Sequence, residues 1–178
     1  MEENSTSLAV TTRSVGIRYG IIMGTISIVL FLVFVIVDIE MYLKIGRWIS
    51  TCMAIAMVIL AHLYFKKNGD GFMNYGQGIG IAFWTGLISS VVGSVFNYIY
   101  IKFIDQSMIT AIREGAIREM QEKGQSDEQI EMAMKFVDMF TNAEAMLFFG
   151  LFVGILMMVV IGLIVTIFTQ KAQPESFA

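Results

Sequence analysis

The 178-residue chain is 56% hydrophobic and only 15% charged, with a mean hydropathy of +0.71. Soluble domains average about 45–50% apolar and about 25% charged residues, and a chain this short cannot hide the excess in one small core. The balance weighs against a soluble monomer and rules out intrinsic disorder, the net charge of -3 argues against a nucleic-acid binder, and a single cysteine excludes an intramolecular disulfide.

Residues 1–18 read as a polar N-terminal tail. An uncharged run follows at 19–37, and three more lie at 48–65, 79–101 and 145–169; the second holds one ionisable group, His62. A bilayer core about 30 Å thick is crossed by roughly 20 mostly apolar helical residues. Helices are expected because lipid offers no partner to an open backbone N–H or C=O. Leu, Ile, Phe and Val favour insertion by about 0.3–0.6 kcal/mol each. The first run contains thirteen of them and the second only seven, so the second span depends on its neighbours. The first run is too long for a signal peptide and no small-residue cleavage site follows it, which makes it an uncleaved span.

Residues 102–144 differ in kind: nine Asp/Glu against five Lys/Arg, a net of -4. Ile104, Met108, Ile112, Ala116 and Met120 recur at helical spacing, Gly124 fits a C-cap, and Ser126 with Gln129 forms a capping-box pattern. The second helix carries Ile130, Ala133, Met134, Val137 and Phe140 on an apolar face. The reading is an acidic, amphipathic helical hairpin over about 105–141, outside the bilayer, lying against it or projecting from it. Residues 170–178 form a polar C-terminal tail. Four spans put both termini on one side, and Arg13, Arg18, Lys66 and Lys67 beside the spans point to the cytoplasm for that side. Tyr19, Trp48, Tyr64, Tyr75, Tyr98 and Tyr100 fall at heights expected of an interfacial aromatic belt.

Chemistry-bearing motifs are scarce. His62 and Cys52 are ten residues apart on one helix and cannot meet, no metal cluster can form from one of each, and the glycines at 69–71 and 76–80 lack a phosphate-loop pattern. His62 is expected near the interface with its polar edge toward headgroups. No Asp, Glu, Lys or Arg lies in the spans, which weighs against a proton- or ion-coupled transporter. The spans do carry small residues at helical spacing. Gly16, Gly20 and Gly24 recur every four; Ala82, Gly86, Ser90, Gly93 and Asn97 make a stripe on the third span; Gly150 and Gly154, with Gly162, make one on the fourth. In lipid such residues let helices approach and bond to one another. Packing within one chain explains them more simply than homo-oligomer contacts, although a homo-oligomer stays open. Asn97 should bond another helix or face a wet cavity.

Phe72-Met73-Asn74-Tyr75-Gly76-Gln77-Gly78-Ile79-Gly80, Phe96 through Asp105, and Gly124 through Glu131 resemble the signatures of a bacterial membrane family, domain of unknown function 4199. The likeness spans about residues 15–170 and departs at Gln106, where a proline is expected. It implies a four-helix cytoplasmic-membrane protein and no activity. The expectation is therefore an all-α integral membrane four-helix bundle with an extramembrane hairpin between spans 3 and 4, in the bacterial inner membrane. Neither catalytic group, metal nor cofactor is expected. A non-catalytic accessory, scaffold or envelope-interaction role follows, with the 105–141 hairpin facing a protein partner; the alternative is a small transporter or channel using the polar face of span 3.

Overall fold

The structure, a computed structural model, describes residues 10–37 and 39–173. Six helices follow one another: α1 (Thr12–Val37), α2 (Ile39–Asn68), α3 (Tyr75–Phe103), α4 (Ser107–Glu122), α5 (Asp127–Phe140) and α6 (Ala143–Thr169). Four of them, α1, α2 from Lys44 onward, α3 and α6, are long and apolar enough to cross a membrane, so the chain is a multi-pass membrane protein.

Helix starts follow local chemistry. Asn74 accepts from the Gln77 N–H while the Gln77 side chain accepts from the Asn74 N–H, and Ser126 and Gln129 repeat the arrangement at α5. Asn142 caps α6 by accepting from the Ala145 N–H at 2.8 Å. Each cap satisfies N–H groups that the first helical turn leaves without partners. Gly71 and Gly124 take positive φ in the turns after α2 and α4, a conformation that costs other residues but not glycine.

The spans are longer than their uncharged runs. Helix α1 begins at Thr12 within the expected tail, and α2 is already helical through Lys44, Gly46 and Arg47, where a polar connection was expected. The C-terminal segment is also anchored. Met73 and Lys171 exchange two backbone hydrogen bonds of 2.9 Å, and the Gln173 amide donates to Asp70. Asn4-Ser5-Thr6, which fits a glycosylation sequon by its sequence, lies outside the described residues.

Helix α3 holds the spans together, packing along its length against α1 on one side and α6 on the other, while α2 touches α1 and α6 and meets α3 only lightly. Glycines set both long interfaces. A Cβ on Gly16, Gly20 or Gly24 would collide with Trp84, Ile88 or Val92 respectively, so α1 and α3 run parallel, one turn matching one turn. The α3–α6 interface is antiparallel: Gly78, Ala82, Gly86, Ser90 and Ser94 face Thr166, Gly162, Met158, Gly154 and Gly150 in order. Each step of four along α3 is a step of four back along α6, the ridge spacing of closely packed helices.

The hairpin pairs α4 with α5. Arg113 grips Asp138 through two nitrogens at 2.9 and 3.1 Å, Ile130 is buried between the helices, and Lys102 of α3 pairs with Glu144 of α6 at the hairpin's base. Gln106 opens α4 with no side-chain cap of its own; Asp105 does the capping, accepting from the Ser107 N–H and hydroxyl at 2.8 and 2.7 Å. Those bonds hold the Asp105 carboxyl below its ordinary range, and a hydrogen bond from Lys123 does the same for Glu119. A carboxyl depressed in the folded state stabilises above its unfolded pKa of about 3.9 and loses that contribution as pH falls through the lower folded value. The first turn of α4 should therefore lose backbone amide protection on acidification below about pH 4. Asp105→Ala should loosen that turn already at neutral pH and abolish the acid step. An acid step that survives in the variant would assign it elsewhere.

Candidate functional site

Two polar locations lie among the spans, one at each end. At the end carrying the termini, the His62 ring is fully buried, contrary to the expected position beside headgroups. Its Nε2 lies 3.0 Å from the Gly78 carbonyl oxygen of α3, and its Nδ1 lies 2.7 Å from the Thr169 hydroxyl of α6. A carbonyl only accepts, so Nε2 carries the proton that joins it to Gly78. Close by, Lys66 donates to the last carbonyl of α6, at Thr169, across 2.7 Å, where a cation also suits the helix dipole. Arg18 donates to the Tyr64 hydroxyl at 2.7 Å and lies over its ring, tying α1 to α2. This end is a lock between helices, with no cavity opening onto the imidazole among the described pockets.

Toward the hairpin end the spans line an open-sided chamber of about 340 Å³. All four contribute: Met23 and Ser27 from α1; Arg47, Ser50, Thr51 and Ala54 from α2; Ser89, Ser90, Gly93, Ser94 and Asn97 from α3; Met146, Gly150, Gly154, Met157, Met158 and Ile161 from α6. The residues expected from the sequence divide here. Ala82 and Gly86 are packed against Gly162 and Met158 below the chamber. Ser90 and Gly154 touch each other at its wall, as do Ser94 and Gly150. Gly93 faces open space, with no atom within 4 Å of where its Cβ would stand. Asn97 lines the chamber, and its Oδ1 is buried without a hydrogen-bond partner.

Arg47 was not singled out in the sequence. It stands at i-3, i-4 and i-7 from Ser50, Thr51 and Ala54, a helical face readable in principle, but it fell in an expected connection. The aromatic belt is only partly peripheral. Trp48 and Tyr75 are exposed, whereas Tyr100 is buried with its ring edge-on to Phe31. A second face of α5 went unread: Met132, Phe136 and Met139, at i, i+4 and i+7, are 62%, 64% and 61% exposed, and Phe140, expected on the face of Ile130, lies beside them instead, half exposed with its ring 5.7 Å from that of Phe149 in α6. Ile130, Ala133, Met134 and Val137 form the other face, toward α4, and the charged residues a third.

Among the described residues no group of three or more His, Cys, Asp or Glu is placed to hold a metal ion. No curated protein and no solved structure matches the chain. The family described as "Protein of unknown function (DUF4199)" matches residues 18–171, and the signatures around Gly76-Gln77, Asn97 and Ser126 fall within that stretch. The chain is a member of that family.

Proposed function

We propose that the protein is a non-catalytic accessory or scaffold of the bacterial cytoplasmic membrane, with both termini in the cytoplasm and the α4–α5 hairpin presented outside to a protein partner. The observation that carries this reading is the second apolar face of α5. Three large side chains on a charged hairpin, Met132, Phe136 and Met139, remain exposed while Ile130, Ala133, Met134 and Val137 are buried or half-buried. Exposed apolar groups clustered in this way mark interaction surfaces. The orientation is supported by charge. Among the described residues the terminal end carries Arg13, Arg18, Lys66, Lys67 and Lys171 against Asp70 alone, and basic residues beside spans favour the cytoplasmic side.

One experiment tests both parts. A photoreactive residue in place of Phe136 should give a discrete protein adduct in native membranes, lost when residues 106–141 are deleted. An impermeant maleimide applied to intact cells should reach Glu128→Cys and not Lys171→Cys in a Cys52→Ser background. Adducts to lipid alone would remove the scaffold reading, and labelling at Lys171→Cys only would invert the orientation. Solute flux through the purified protein in liposomes, abolished by Asn97→Leu, would replace the scaffold with a transporter.

A further inference from the structure

The four spans close at one end and part at the other. On α2, Ala54, Met57, Val58, Ala61, His62 and Phe65 are buried, whereas Ser50 and Arg47, one and two turns nearer the hairpin than Ala54, are exposed. The facing stretch of α6 behaves alike: Met158, Ile161 and Val165 are buried, while Met146 is half-buried and Gly150 exposed. The chamber lies where α2 draws away, among four helices long and apolar enough to cross a membrane, so lipid is the nearest source of whatever fills it.

Its lining is graded. Helix α6 descends from the hairpin at 1.5 Å per residue, so Met157, Met158 and Ile161 lie deep, as do Met23 and Ala54 on their own helices. Ser89 and Ser90 lie at the level of Gly154 and Met158, while Ser94, Asn97 and the one cation, Arg47, lie nearer the hairpin. Arg47 is the one charged residue in the lining and makes no ion pair among the described residues. It also lines a second cleft, of about 530 Å³, between the start of α2 and the face of α4, where Lys44 and Arg118 stand on the basic side and Glu119 and Glu122 on the acidic side. Arg47 thus borders both cavities. Both volumes fall in the range of roughly 300–1,000 Å³ typical of ligand pockets.

We propose that the chamber binds an anionic amphiphile. Its acidic head sits at Arg47 with Lys44 beside it, and its hydrocarbon chain runs down among Met157, Met158 and Met23. A guanidinium presents paired donors that match a carboxylate or phosphate. Methionines adapt to a chain of irregular shape. The buried, unpartnered Oδ1 of Asn97 accepts from a hydroxyl on the head or from a water that accompanies it. A fatty acid and an anionic phospholipid share this chemistry.

The test is native mass spectrometry of the detergent-purified full chain, titrated with oleate, with phosphatidylglycerol and with phosphatidylcholine of the same chain length. One anionic amphiphile should stay bound per chain at concentrations where phosphatidylcholine does not. Retention of oleate alone identifies a free fatty acid, and retention of phosphatidylglycerol alone a phospholipid. Arg47→Gln, at an exposed position without an ion pair, should weaken binding at least tenfold while the protein stays monodisperse. Gly93→Phe, directed into open space, should block the chamber to a similar degree without loss of helix by circular dichroism. Equal retention of all three lipids, or binding unchanged in both variants, would overturn the proposal.

Discussion

Gly20→Leu should lower the melting temperature of the detergent-solubilised protein by roughly 2–12 °C, the shift that overpacking by about 1–3 kcal/mol gives a chain of this size. The cause is geometric. A Cβ at Gly20 would stand 2.7 Å from the Cβ of Ile88 and 2.9 Å from the carbonyl oxygen of Thr85, and the second of these belongs to a helix backbone that cannot swing aside. Helix α1 must then move away from α3 over its whole glycine ladder, because Gly16 and Gly24 are seated in the same way. Lipid gives no hydrophobic force to restore the contact, so lost van der Waals packing is not replaced. Gly93→Leu is the control. Its Cβ meets nothing within 4 Å, and leucine is the better helix former by nearly 1 kcal/mol, so it should leave the melting temperature unchanged or raise it slightly. Equal losses in the two variants would mean that glycine at any point in these spans matters for some reason other than close approach.

The same contrast shows what the sequence can and cannot disclose. Uncharged runs locate membrane crossings because the cost of a charge in lipid is large and local, and all four crossings lie where those runs lie. The ends were harder. A helix is stopped by lost hydrogen bonds, not by charge, so α2 runs through Lys44 and Arg47 although the apolar run starts later. The hairpin was legible because its punctuation is chemical: Gly124 at positive φ, and Ser126 reciprocally bonded with Gln129. Small residues at a spacing of four announced close packing, yet spacing on one helix does not say which residues of another will meet it. Whether Ser90 faces a pore or Gly154 is decided by the register between α3 and α6, a property of two helices at once. The chamber was illegible for the same reason. It is made by the parting of α2 from α6, and no single segment encodes a separation.

His62→Ala should destabilise the protein by about 2–4 kcal/mol, as removal of a large buried side chain does, and the damage should be confined to the end that carries the termini. The ring touches α3 and α6 from α2, the span with the fewest strongly apolar residues, so it supplies much of what keeps that helix in place. His62→Phe separates volume from hydrogen bonding. Phenylalanine fills the space but gives nothing to the Gly78 carbonyl or the Thr169 hydroxyl. Neither partner is stranded by the loss, since Gly78 O remains within α3 and the Thr169 hydroxyl, no longer drawn to Nδ1, can give its one hydrogen to the Val165 carbonyl 2.9 Å away. The expected cost of the Phe variant is therefore only the net worth of the bonds, about 1–2 kcal/mol. Hydrogen exchange should show faster opening at Val165–Thr169 in both variants, more in Ala than in Phe, with the α4–α5 hairpin unaffected. Lys66 still donates to the Thr169 carbonyl in either variant, which limits how far the end of α6 can fray. If Phe costs as much as Ala, the bonds and not the ring's bulk hold α2 to α3 and α6. If neither variant alters exchange at Val165–Thr169, the imidazole does not fasten these helices, and the closure of this end must be assigned to Arg18, Tyr64 and Lys66 instead.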